Sequence, residues 1–460
     1  MIVIIFFWKI ILEGATMDAT IATNLEEFES TLDNYPVNEN NYTAYFVDTT
    51  KGRGENPTDM LIRQFNYNKN KNFKILYAGF KGCGKSTELL RLKRELEKDF
   101  VIDIFSVREK LDPNNFTISE LLIAITADLL VFVHKNLNSI VLSKELLTKL
   151  ESWSEKTVKE NITYNYAERE TGAGVNINLG LGKIINFFAK LNFDFRAGRK
   201  FTEVTTIETE KTLSDLILHC NLIVGEIKSQ LAKIKKSNII IIIEDLEKVP
   251  LEITEKLFFH NPRQLTSIAC SFVYTYPISL VYNPRYNIIK QEFDYPLILP
   301  MIKVHDKEWQ DNESGIENIL TILDRRIDKN RDLIPRDLLK NFIRMSGGAL
   351  RDLFLMLNLA AQNALNLGRN SIEERDYIYS VNKLKNDYSN SIAYNEKNGM
   401  TPQEYYDLLV KCYHDKEKKP LNDRGMLDLR YNMCVLGYNS ENWYDVHPVV
   451  KEILKEKKMI

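Results

Sequence analysis

One spacing restricts this chain more than any other: Gly79-Phe80-Lys81-Gly82-Cys83-Gly84-Lys85-Ser86-Thr87, a glycine, four residues, then Gly-Lys-Ser. Such a loop can wrap phosphate, provided that a strand precedes it and a helix follows it. Both flanks supply that context. The run "FKILYAG" from Phe73 reads as a strand, and "STELLRLKRELEKDF" places Leu89, Leu90, Leu92 and Leu96 at helical spacing. A second strand, "FVIDIFSV", follows from Phe100 to Val107. The expected fold class is α/β, a parallel sheet flanked by helices.

The chemistry of the loop follows from its residue types. Gly79, Gly82 and Gly84 let successive backbone N–H groups turn towards phosphate oxygens. A helix beginning near Lys85 adds the positive end of its dipole. Lys85 would reach the β- and γ-phosphates, Ser86 would ligate Mg²⁺, and Thr87 would neighbour the α-phosphate. Cys83 is a small filler, and its oxidation is expected to block nucleotide. ATP and Mg²⁺ are the expected cofactors. A metal on phosphate needs an acidic partner from a neighbouring buried strand. Five isoleucines, Ile239 to Ile243, read as a strand buried on both faces, and they run into Glu244 and Asp245. Glu244 stands on the metal side and Asp245 where a water-activating base would stand. Glutamate has a longer arm than aspartate, so the two roles can be exchanged. Glu247 is a third carboxylate, behind the site or on the surface.

"GFKGCGKSTEL", the strand ending in "EDLEKV" and "SGGALRDL" at Ser346 together resemble the AAA+/STAND superfamily of P-loop NTPases, in its origin-recognition-like bacterial branch. The resemblance spans roughly residues 40–380. It implies that Thr275, ending "SFVYT", senses the γ-phosphate, and that Gly347, Gly348 and Arg351 open a lid helix whose arginine touches nucleotide. It also implies an adenine-side segment at Thr49, Thr50 and Arg53, and an arginine finger, for which Arg263 is a candidate. A helical lid and a C-terminal winged-helix-like domain would complete the fold.

At 460 residues the chain is long enough for several domains. The expected division is a P-loop ATPase domain at 17–308, a helical lid at 309–382 and a winged-helix-like domain at 383–460. An insertion at about 161–208 alternates polar and apolar residues around glycines, as a β-hairpin with a short amphipathic segment would. Its "IINFFAKLNF" patch packs on its own domain or meets a membrane or partner. The opening "MIVIIFFWKIIL" is too short to span a bilayer. Glu13-Gly14-Ala15 can be encoded as a ribosome-binding site ahead of Met17, so residues 1–16 are expected to be mis-annotated leader. Five scattered cysteines without a CxxC pair point to reduced thiols and a cytoplasmic protein.

The formal net charge is −2, and residues 383–460 carry 13 Lys/Arg against 12 Asp/Glu. That balance is a poor footprint for duplex DNA. The "MCVLGYNSENWYDVHP" hairpin, turned at Asn439-Ser440, therefore favours a protein contact or an autoinhibitory role, with His447 as a packed or capping residue. The leading expectation is a Mg²⁺-dependent ATPase whose nucleotide state controls conformation or assembly, with self-assembly or a protein partner, and a possible place in bacterial defence. The alternative is a DNA-binding loader or transposition helper. A small-molecule kinase would leave the lid and the last domain without a task.

Overall fold

The structure is a computed structural model, and it describes residues 19–33, 37–137, 139–150, 152, 206–396, 399–415, 417, 424–438 and 443–460. The expected leader at 1–16, nearly all of the insertion at 161–208, and the Asn439-Ser440 turn lie outside the described residues. The chain forms two compact units. One holds Met1–Met60, Gly79–Leu92 and Ile298–Ile460, and the other holds Leu61–Ala78 and Lys93–Leu297.

The second unit is built on a sheet. Its strands are β1 (Lys74–Gly79), β2 (Phe100–Ser106), β3 (Asn238–Glu244), β4 (Ser271–Tyr276) and β5 (Tyr295–Leu299), in the order β2-β3-β4-β1-β5. The pairs β2–β3, β3–β4 and β4–β1 are all parallel. Ile239 to Ile243 are at most 1% exposed, as expected for a β-branched run packed on both faces. Phe65 wedges edge-on against Phe73 and Phe100, with ring centroids 5.3 and 5.8 Å away, and closes the core at the start of the sheet. The chain leaves β1 towards β2 on one side and leaves β4 towards β5 on the other. Strand order therefore reverses between β1 and β4, where open α/β sheets hold ligands beyond their carboxyl ends. A helix over Ile118–Asn136 starts with a capping box between Thr117 and Glu120, and helix Thr206–Gln230 leads towards β3.

In the first unit, helix α1 (Lys85–Leu96) begins, and Leu89, Leu90 and Leu92 bury its inner face. Then come α2 (Glu313–Asp324), α3 (Arg336–Met345), α4 (Leu350–Asn366) and α5 (Glu374–Ser391). Leu338, Leu339, Phe342 and Ile343 form the buried stripe of α3, and Leu353, Met356, Leu357 and Ala360 that of α4. Position 382/383 falls inside α5. The last segment contains α6 (Pro402–His414), α7 (Arg424–Tyr431), an antiparallel pair β6 (Val435–Tyr438) and β7 (Trp443–Val446), and α8 (Pro448–Glu456). All five cysteines are buried and unbridged. Among the described residues, no helix is long and apolar enough to cross a membrane.

Candidate functional site

The loop after β1 has the shape its glycines require. Gly82 and Gly84 have φ of 75° and 91°, in the left-handed region that side chains resist. Lys85 opens α1, is 6% exposed, and donates from Nζ to the carbonyls of Gly79 at 2.9 Å and Phe80 at 3.0 Å. Its ammonium is thus held inside the loop that it would need to serve. Ser86 and Thr87 stand half-buried in the first turn of the same helix. Cys83 is fully buried, and its Sγ would lie 2.8 Å from a Cβ placed on Gly79, so the thiol fills the space beside that glycine.

Two segments far from the loop in sequence fix it, one through Arg53 and the other through the backbone at Leu350. Arg53 is 2% exposed. It donates from Nη2 to the Cys83 carbonyl at 2.6 Å, from Nε to Thr49 Oγ1 at 2.8 Å, and from Nη1 to the Pro300 carbonyl. At the head of α4, the Leu350 N–H donates to the Gly82 carbonyl at 3.2 Å. A Cβ on Gly82 would come within 2.9 Å of Arg351 Cβ and 3.1 Å of its backbone nitrogen. Gly82 is therefore required by close approach as well as by φ. Gly348 is similar, since a Cβ there would meet the Ile302 carbonyl at 2.0 Å. The expected lid motif and the phosphate loop are in direct contact.

The last segment also reaches the loop. A Cβ on Gly437 of β6 would lie 2.8 Å from the ring of Phe80, and Lys81 Nζ lies 4.0 Å from the Tyr431 ring centroid. The Tyr438 hydroxyl donates to the Gly347 carbonyl at 2.9 Å. His447 is fully buried. Its Nδ1 accepts from the Val449 N–H at the start of α8, and its Nε2 lies 3.2 Å from Asp352 Oδ2. It is a packed, capping histidine, as its sequence context suggests.

The second unit brings the other expected residues together at the carboxyl ends of β2, β3 and β4. Ser106 pairs in register with Glu244, Ile243 with Tyr274, and Tyr77 of β1 with Thr275. Asp245 turns the chain in the left-handed region, φ 71°, a conformation that aspartate tolerates better than most residues. Its Oδ2 accepts from Ser106 Oγ at 2.6 Å, and its Oδ1 pairs with Lys248 Nζ at 2.5 Å. Thr275, 1% exposed, accepts the Leu246 N–H at 3.2 Å, so its hydroxyl braces the acidic turn. Glu247 is 5% exposed, so it does not lie on the surface. Arg263 has an 84% exposed side chain and pairs with Glu292 at 3.2 Å.

Gly79, Gly82, Cys83, Gly84, Lys85, Ser86, Thr87 and Arg351 thus share one unit, and Glu244, Asp245 and Thr275 share the other. Sequence reading missed Ser106 and Lys248 as partners of Asp245, and it assigned Arg53 to a base rather than to the loop. The signal for Ser106 was the hydroxyl residue that closes strand "FVIDIFS". Nothing local marks Arg53. Among the described residues, no group of three or more His, Cys, Asp or Glu could hold a metal by itself. Mg²⁺ on a nucleotide needs only one or two protein oxygens beside the phosphates, and Ser86 and Glu244 are residue types that fit.

No family model and no curated protein matches this chain. Among solved structures it is similar to the Orc1 protein of Aeropyrum pernix in complex with DNA, at 11% identity and a TM-score of 0.37, over 95% of this chain and 98% of that one. It is also similar to Cdc6p of Pyrobaculum aerophilum, at 11% identity and a TM-score of 0.39, over 93% of this chain and 98% of that one. A third is the ORC2 protein of Aeropyrum pernix in its ADPNP–ADP complexes, at 12% identity and a TM-score of 0.39, over 94% and 98%.

Proposed function

We propose that this chain is an ATP-binding and ATP-hydrolysing regulator of the AAA+/STAND type, in which nucleotide sets the position of the C-terminal segment. The observation that carries this reading is the packing of Phe80 against Gly437 and of Lys81 over Tyr431. Two loop residues adjoin the phosphate-wrapping glycines and also touch the last domain. A loop that reshapes around phosphate must move those contacts, and the energy of binding then biases the C-terminal segment.

Lys85 would exchange its two loop carbonyls for the β- and γ-phosphates, and the backbone of Gly82 to Gly84 would donate to phosphate oxygens. Ser86 and Glu244 would hold Mg²⁺, which when bound neutralises charge on the phosphates. Asp245 would orient the attacking water. Ser106 and Lys248 occupy one site on each of its oxygens, and a carboxylate has about four such sites, so two remain. Thr275 would stand at the γ-phosphate and Arg351 would offer its guanidinium to phosphate oxygens. The C-terminal β6–β7 pair and α8 would form the winged-helix-like module, and a protein contact suits its near-neutral charge better than duplex DNA.

Amide hydrogen exchange over Tyr431–Tyr438, with and without ATP, tests this coupling. Altered protection in that segment is expected, and identical protection with saturating ATP would contradict it.

A further inference from the structure

The amino ends of the strands form a face opposite to the end that holds Glu244 and Thr275. Its residues all belong to the second unit. Residues 66–72 lead into β1, 97–99 into β2, 228–238 into β3 and 267–270 into β4, and Asp294 precedes β5. These segments are tied to one another. Lys69 pairs with Asp99 at 2.9 Å, and Lys71 with Asp294 at 3.2 Å. Asn238 Nδ2 donates to the Lys71 carbonyl at 3.2 Å, and the Ser237 N–H donates to the Asp99 carbonyl at 2.8 Å. With strands about 4.8 Å apart, the face is roughly 19 Å across.

Its charge is one-sided. The segments contain seven lysines and no arginine, against the three carboxylates Glu97, Asp99 and Asp294. The whole chain has a formal net charge of −2, so the remainder is net negative. Two of the carboxylates hold Lys69 and Lys71, whose side chains are nonetheless 40% and 53% exposed. Lys228 donates to Asn72 Oδ1 at 2.7 Å and the Ala269 carbonyl at 3.0 Å, and Lys233 donates to Gln230 Oε1 at 3.1 Å. Lys236 donates to the carbonyls of Glu97 and Lys98. All those oxygens are neutral, so the three ammonium groups are positioned without being cancelled. Lys98 and Lys235 stand exposed.

Two apolar groups project beside these lysines. Tyr67, the last residue of helix Pro57–Tyr67, is 85% exposed. Val141 is 62% exposed, and Gln230 fixes it by accepting its N–H at 3.2 Å and donating to its carbonyl at 2.9 Å. Forked arginines, which match phosphate oxygens two at a time, are the usual grip on a nucleic-acid backbone, whereas lysine is a point charge suited to a diffuse array of anions. A phenol and a branched aliphatic group standing clear of the surface belong at the headgroup level of a bilayer.

We propose that the amino end of the sheet is a docking surface for an anionic lipid membrane. The lysines face acidic headgroups, Tyr67 and Val141 enter the interface, and Glu244 and Asp245 point away from the bilayer. Each lysine near such a surface contributes about fivefold in affinity, so the excess of positive charge raises binding roughly 10²–10³-fold over a neutral bilayer. The proposal stands on this face alone and does not require the ATPase reading.

The test is co-sedimentation of the full chain with vesicles of phosphatidylcholine alone or with about one-third phosphatidylserine, in about 0.1 M salt. Binding to the anionic vesicles alone is expected, and about 1 M salt should release it. Lys98→Glu, Lys233→Glu and Lys235→Glu combined should weaken binding about tenfold or more, and Tyr67→Ser about threefold, with melting midpoints close to wild type. The same charge reversals at Lys383, Lys457 and Lys458, exposed in the first unit, should leave binding within about twofold of wild type. Absence of binding to anionic vesicles overturns the proposal. Equal losses from the two triple variants also overturn it, since net charge alone would then act. An oligonucleotide bound more tightly than the vesicles, and lost in the first triple variant, would assign the face to nucleic acid instead.

Discussion

Arg53 donates from Nη2 to the carbonyl of Cys83 at 2.6 Å, across 30 residues of chain, and so holds the phosphate loop from below. A buried hydrogen bond from a charged donor contributes about 1.5–3 kcal/mol, and the orphaned carbonyl adds its own desolvation cost. Arg53→Met is therefore expected to lower the melting temperature and to weaken ATP about tenfold or more by titration calorimetry. Arg53→Lys keeps the charge but loses the fork, and should fall between the two. Wild-type affinity in Arg53→Met would show that the loop keeps its shape without this clamp.

Gly82 is squeezed between its own backbone angle and Arg351. Alanine there would incur about 1–2 kcal/mol for the left-handed conformation, and it would also push against Arg351 Cβ. The expected result is a folded protein with little or no ATP binding and a displaced α4. Circular dichroism and a nucleotide titration check it, and full binding by Gly82→Ala would mean that the approach of loop and lid has no role.

Ser106 donates to Asp245 at 2.6 Å. If that bond orients the carboxylate for water, Ser106→Ala should lower kcat about tenfold and leave KM nearly unchanged, the mark of an interaction used only in the transition state. Equal losses in the Lys248→Met variant are expected, because Lys248 holds the other oxygen. Unchanged kcat in both would remove Asp245 from the reaction.

Asp103 on β2 gives a pH dependence. Burial, reinforced by Asp128, pushes its carboxyl up to about 7, against the pull of Lys110 and Lys93. The folded protein then binds a proton more tightly than the unfolded chain, so stability falls as pH rises from about 4 to 7. Each tenfold change in proton affinity is about 1.4 kcal/mol, which bounds the effect near 4 kcal/mol. Asp103→Asn should flatten this slope and melt above wild type at pH 8. A wild-type midpoint that rises steadily across that window contradicts the assignment.

What could be read from sequence was what lies close along the chain. The glycine loop, the helix from Lys85 and the five isoleucines before Glu244 each signal through neighbours in sequence, and each takes the expected form. Arg53 on Cys83 and Leu350 on Gly82 could not be read, because only the folded chain brings those residues together. The same holds for Asp245. Its acidity was plain, but its bond to Ser106 depends on where β2 ends beside β3. The capping role of His447 was legible because Pro448 follows it at the start of a helix.

The central claim is that Lys85 and Glu244 serve the hydrolysis of ATP, and phosphate release from Mg²⁺-ATP measures it most directly. Wild type should release phosphate. Lys85→Ala should neither bind nor hydrolyse, whereas Glu244→Gln should still bind ATP but turn over about 10²-fold or more slowly. Equal phosphate release by wild type and both variants would contradict the account.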